Sequence, residues 1–165
     1  MDDIARAAEL SRPALYLLFR NKQDIYRGLA RLVLDDVAAK ARMALSLEGT
    51  LLEKLDRLVH NAFFETLRHI EESQHGSELF DIKNTLAGDL FAEWRDEISL
   101  ELEAVISEHV GSRNVDLAER DLTPRILVDV FFDSLEGMKV RFNDPHCHLE
   151  AARKSARVLV AALRP

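Results

Sequence analysis

The stretch Asp3-Ile4-Ala5-Arg6-Ala7-Ala8-Glu9-Leu10-Ser11-Arg12-Pro13-Ala14-Leu15-Tyr16-Leu17-Leu18-Phe19-Arg20-Asn21-Lys22 reads as two short helices separated by a tight turn. Asp2 or Asp3 is placed to cap the first, which runs to about Glu9 with Ile4, Ala5 and Ala8 on one face. Leu10-Ser11 breaks it. Ser11 caps the second helix, where Pro13 lies in the first turn and loses no hydrogen bond by lacking an N–H. That helix carries Leu15, Tyr16, Leu18 and Phe19 and ends near Arg20-Asn21. From about Lys22 to Ala44 the spacing of Ile25, Leu29, Leu32, Val33 and Val37 predicts one long helix. Helix, turn and helix is a shape that DNA-binding proteins use, with the second helix in the major groove, but the shape also occurs without DNA binding.

The residues narrow the choice. Ile4, Ala5, Ala8, Ser11, Leu15, Tyr16, Phe19 and Lys22 fall in register with the pattern Ile-Ala-x-x-Ala-Gly-Val-Ser-x-x-Thr-Leu-Tyr-x-x-Phe-x-x-Lys, and the segment resembles the helix-turn-helix of the TetR family. The resemblance implies that Ser11 caps the recognition helix and contacts a phosphate, and that Tyr16 and Lys22 hold phosphates on either flank. Such contacts fix register without reading sequence. Base reading then falls to Arg12, Pro13 and Leu17, with Arg12 the candidate for a guanine. Arg12 has the alternative roles of a solvated arginine or a phosphate contact, and Tyr16 that of a half-buried core aromatic.

Three departures from the pattern are visible. Glu9 stands where the family has its turn glycine, which requires a side chain to tolerate a left-handed turn and adds an acid near DNA. Ala14 replaces the frequent threonine. The motif also begins at residue 2 or 3, whereas family members place a further helix and an arm before it. Without that helix, Ile4, Ala8, Leu15 and Phe19 are expected to form an exposed apolar patch. Met1 is then read as an internal methionine, and a chain extended upstream is expected to bind operator DNA better.

Working outward, the 165 residues are 47% hydrophobic and 31% charged, enough for a globular chain with a sizeable core. Residues 1–45 hold eight Lys/Arg against six Asp/Glu, a net +2, which leaves −9 for the rest within the total of −7. A mildly basic head on an acidic body fits a chain whose front end alone meets phosphates. Cys147 has no cysteine to pair with, the N-terminus lacks a signal peptide's basic and apolar regions, and no apolar run approaches the roughly 18 residues of a membrane span. A cytoplasmic location is expected.

The body reads as helices only. One starts at Gly49-Thr50 with Leu51, Leu55, Leu58/Val59, Ala62/Phe63, Leu67 and Ile70 on a stripe, and one or two turns are expected at 78–84. Another runs from about Leu86 to Val110 and is ended by Gly111. Thr123-Pro124 and Asp144-Pro145 open helices of about 124–142 and 146–163. The fold class is therefore all-α, divided into residues 1–45, a helix-turn-helix domain with its connecting helix, and residues 46–165, a ligand-binding and dimerisation domain.

Residues 126–142 are apolar on nearly every face, which calls for burial on two sides. Val128, Phe131, Phe132 and Leu135, with Ala152, Ala156, Leu159 and Leu163 of the last helix, are the expected two-fold homodimer face. Burial wholly within one chain is the alternative. Phe63, Phe64, Phe80, Phe91 and Trp94 supply aromatic wall material and His60 a polar point for a pocket taking a hydrophobic or aromatic effector, although aromatics at helical spacing also serve as plain core. His146 and His148 point about 200° apart at a helix start and do not suit one metal ion. No phosphate loop, nucleophile elbow or zinc signature points to an enzyme or a cofactor. The expected function is a dimeric repressor released from operator DNA by a small effector. The alternative is a ligand-binding dimer that no longer binds DNA.

Overall fold

A computed structural model describes residues 1–72, 86–141 and 144–164. Among them every regular element is helical, and none is long and apolar enough to cross a membrane. The helices α1 (Asp2–Ala7) and α2 (Arg12–Leu18) precede α3 (Lys22–Ser46). Next, α4 (Leu51–Arg57) continues through a π-helical segment (Leu58–Phe64) into α5 (Glu65–Glu71). The chain closes with α6 (Gly88–Arg113), α7 (Pro124–Arg141) and α8 (Pro145–Ala162). The turns expected at 78–84 lie outside the described residues.

Local chemistry sets the starts of these helices. Ser11 Oγ accepts from the Ala14 N–H at 3.2 Å, and Asn21 Oδ1 accepts from the Asp24 N–H at 2.9 Å. Thr50 and Glu53 form a reciprocal capping box, with the Thr50 N–H donating to the Glu53 carboxylate at 2.7 Å. Thr123 and Asp144 cap the two helices whose first residues are prolines. One helix end differs from expectation. Gly111 lies inside the last turn of α6, which runs on to Arg113, and Asn114 takes the left-handed conformation at φ 51°. Asparagine tolerates that region well enough to act as the cap, so the glycine is not needed there.

The main core fills the space between α3, α4, the π segment, α6, α7 and α8. Ala41, Leu55, Leu58, Ile98, Leu102, Ile106 and Val128 are among its most deeply buried side chains. The second half of α3, from Val37 to Leu45, belongs to this core, and the helix ends at Ser46. Ahead of it a smaller cluster joins Ala30 and Leu34 of α3 to Ala87 and Leu90 at the start of α6. Beside this cluster the Arg27 guanidinium forks onto Asp89 at 2.7 and 2.6 Å and also donates to the Leu86 carbonyl at 2.8 Å. Arg153 of α8 likewise ties to Asp56 of α4 at 2.7 Å.

Candidate nucleic-acid interface and effector pocket

The head is compact despite its size. Ala5 and Leu15 are buried, Ile4 and Phe19 are half-buried and Ala8 is exposed. The apolar patch expected at Ile4, Ala8, Leu15 and Phe19 is therefore largely closed. The Phe19 ring packs beside Gly28 of α3, 3.4 Å from where a Cβ would stand. The exposed large apolar side chains of this region are Leu10, Leu17, Leu18, Leu29 and Leu32 instead. Glu9 adopts φ 55°, the left-handed turn that its position in the motif demands.

All six residues expected to meet DNA, Ser11, Arg12, Pro13, Tyr16, Leu17 and Lys22, are exposed. Arg12 and Tyr16, one turn apart on α2, are in contact, with the guanidinium carbon 5.7 Å from the ring centroid. Pro13 and Leu17 are likewise one turn apart, and Leu17 is 87% exposed. Ser11 stands at the N-cap of α2 and Lys22 opens α3. Tyr16 is 43% exposed. Arg12 also pairs with Asp2 at 3.2 Å, an exposed ion pair that a phosphate or base edge can replace at little cost.

Behind the head, α3, the π segment, α5, α6, α7 and α8 enclose a cavity of about 240 Å³. Phe63, Phe64, Phe91 and Trp94 line it. Phe80 lies outside the described residues. His60 does not line the cavity: its Nδ1 is 3.0 Å from Asn61 Oδ1, and its ring packs on Phe64 at 5.6 Å. Val59, Ala62, Phe63, Leu67 and Ile70 of the expected stripe line the cavity together with Phe64, and His60 lies off that stripe.

Phe63 is the centre of an aromatic wall, edge-on to Trp94 at 5.9 Å and to Phe132 at 6.0 Å. The cavity also takes in Tyr26, Thr66, Arg95, Glu136 and His148, which sequence reasoning missed. Burial pushes the Tyr26 phenol above its ordinary pKa of 10.0. Arg95 bonds to Asp133 at 2.6 Å, lies 3.6 Å from Glu136 and stacks over the Phe132 ring, and its bond to Asp133 raises its pKa further. The only sequence signal for Thr66 was its place one turn after Phe63. His146 is exposed while His148 faces the cavity, so the two histidines do diverge. Among the described residues no three His, Cys, Asp or Glu side chains are grouped to hold a metal.

The expected dimer face is placed differently. Val128, Phe131, Phe132, Ala152, Ala156, Leu159 and Leu163 are buried in the chain's own core, and Leu135 packs against it. A helix apolar all round offers two faces: Val128, Phe132, Ala152 and Ala156 take the inner one, while Phe131 and Leu159, though buried, also border the outer one. The outer side of α7 and α8 is a shallow groove carrying Val130, Ser134, Gly137, Ala151, Ser155 and Val158. Val130 is 62% and Val158 70% exposed, and a Cβ built on Gly137 meets nothing within 4 Å. A mid-helix glycine weakens α7, with no compensating contact among the described residues.

Residues 1–29 match the family model of bacterial regulatory proteins, tetR family. Along its length the fold is similar to that of the TetR family transcriptional regulator PfmR from Thermus thermophilus, with a TM-score of 0.67 at 22% identity, over 99% of this chain and 88% of that one.

Proposed function

We propose that the chain is a DNA-binding regulator of the tetR family, whose model its residues 1–29 match, and that it is an effector-released repressor working as a homodimer. The observation that carries this reading is the double service of α3. Its first residue, Lys22, belongs to the exposed head, while Tyr26, Ala30, Val33 and Val37 of the same helix wall the cavity. No hinge residue interrupts it: α3 contains no proline, and its one glycine is packed against Phe19.

In this reading Ser11, Tyr16 and Lys22 hold phosphates, and Arg12, Pro13 and Leu17 face base edges in the major groove. Two copies joined across the outer groove of α7 and α8 space their α2 helices to match successive grooves. Gly137, Ala151 and Ser155 are small enough to let the partner's helices approach, and Val130 and Val158 supply the apolar contact. A hydrophobic or aromatic effector filling the cavity displaces α3, alters the spacing and lowers operator affinity. A regulator of this kind meets its DNA in the cytoplasm.

The test is a gel-shift titration against the DNA upstream of the chain's own gene, run at several salt concentrations. The expected result is a saturable shift whose log affinity falls linearly with log salt, and a slope smaller by about one when Lys22→Ala removes a phosphate contact. Absence of any shift for a folded dimer that binds small molecules would leave the ligand-binding dimer as the correct function.

A further inference from the structure

The head joins the first residues of its two short helices. Arg12, at the start of α2, places Nη1 3.2 Å from one oxygen and 3.4 Å from the other oxygen of Asp2, at the start of α1. Its guanidinium carbon also lies 5.7 Å from the centroid of the Tyr16 ring, one turn further along α2. One helix supplies the arginine and its aromatic rest, and the other supplies the carboxylate. The contact occupies a single nitrogen. Nε and Nη2 have no partner among the described residues, so the edge of the fork with two parallel N–H donors stays open. That edge matches the O6 and N7 acceptors of guanine in the major groove. Both side chains are more than half exposed, 61% and 62%, so the pair contributes little to holding the head together. Its consequence falls on Arg12 instead. A long side chain already confined loses less freedom when it docks, and a guanidinium beside a carboxylate is drawn less strongly to phosphates.

We infer that Asp2 is a positioning residue that sets sequence specificity: its carboxylate holds Nη1 of Arg12 so that the free Nε–Nη2 edge reads one guanine. The inference rests on reading the head as the operator-binding surface, and it deepens that reading by assigning Arg12 to a base rather than a phosphate. It also accounts for an acid beside the residues expected to meet DNA. Asp2 lowers the attraction to every sequence alike, while the arrangement it imposes favours one base pair. The ratio between matched and mismatched sites therefore rises. Arg6 provides an internal comparison: it lies 3.6 Å from Asp3 of its own helix, a pairing that fixes nothing relative to α2.

The test begins by selecting the full chain's preferred site from a pool of random duplex DNA. Each base pair of that site is then substituted in turn, and anisotropy titrations at fixed salt give the ratio of affinities for matched and substituted duplexes. The expected result is a guanine in each half-site that Arg12→Ala no longer distinguishes, a loss of about ten- to a hundredfold at that position. Asp2→Ala is expected to lower discrimination at the same base pair by about threefold or more, with other positions within about twofold. Its affinity for unrelated DNA should rise, since an acid has gone. Asp2→Glu, which keeps a carboxylate, should restore part of the discrimination. In the Arg12→Ala background, Asp2→Ala should change the ratio no further. An unchanged ratio in Asp2→Ala, an equal loss at all positions, or a preference that Asp2 maintains without Arg12 overturns the inference. So does a uniform loss of affinity in Arg12→Ala, which assigns that side chain to a phosphate. A pool that yields no enriched site fails the operator reading and the inference with it, whereas a selected site indifferent to Asp2 sinks the inference alone.

Discussion

Replacing Val130 and Val158 together with serine separates the outer face of α7 and α8 from the rest of the molecule. The two side chains are 62% and 70% exposed in the single chain. Full burial of a valine contributes about 1.5 kcal/mol, so closing the exposed fraction contributes about 1 kcal/mol for each. A two-fold interface holds each residue twice, which brings the four side chains to about 4 kcal/mol. That is nearly three decades in dissociation constant, or about a thousandfold. Neither side chain contributes to the core, so the folded protomer should change by no more than about 0.5 kcal/mol. Sedimentation equilibrium over a wide concentration range measures the first quantity and chemical denaturation the second. A dimer constant that moves less than about tenfold would refute the assignment of this face, since nothing in the calculation depends on the identity of the operator. Leu102→Ala provides the contrast: its side chain is fully buried away from that face, so the expected result is a loss of about 2–5 kcal/mol in protomer stability.

Three further outcomes follow from single residues. Asp89→Asn removes the charge that holds Arg27, and amide exchange at the start of α6 and in the first half of α3 is expected to quicken. The Arg27 bond holds the Asp89 carboxyl down at about 2 against an ordinary 3.8. Because the folded value is the lower one, the contact's contribution is complete above about pH 4 and is lost as pH falls through about 2. Wild-type exchange in these helices should therefore be insensitive to this group between about pH 5 and 8, once intrinsic rates are divided out. Ser99 is fully buried and its hydroxyl has no partner among the described residues, so Ser99→Ala should stabilise the protomer by about 1 kcal/mol, seen as a melting point higher by roughly 2–4 °C. Glu9→Gly fits the residue to its φ of 55° while loosening the unfolded chain. The stability change should stay within about 1 kcal/mol, and operator affinity should rise through loss of an acid beside the DNA.

The features legible in the sequence were those decided within a few residues. Ser11, Thr123 and Asp144 cap helices because their side chains reach backbone N–H groups two or three positions on, and Glu9 takes the turn its neighbours force upon it. Face assignments in the body were less accessible. Periodicity says that α7 is buried all round, but not which of its stripes belongs to its own chain, and Phe131 and Val130 are adjacent residues with opposite environments. Phe63 and Phe64 line the cavity and His60 does not, because His60 lies off the apolar stripe that faces it. Tyr26 and Thr66 were missed for a related reason: each lies on a helix already explained by apolar packing, and only the tertiary arrangement turns it toward a void.

The sharing of α3 between head and cavity also bears on how such a protein can diversify. A substitution at Tyr26, Ala30 or Val33 that reshapes the cavity is at the same time a change in how the recognition helix is presented. The opposite wall, built by Phe63 and Leu67, carries no such double duty. Adaptation to new effectors is therefore easier through that wall, so related chains should retain their α3 side chains while the facing helices change. In a library randomised at all of these positions, variants that acquire a new inducer and keep their operator should carry their changes away from α3.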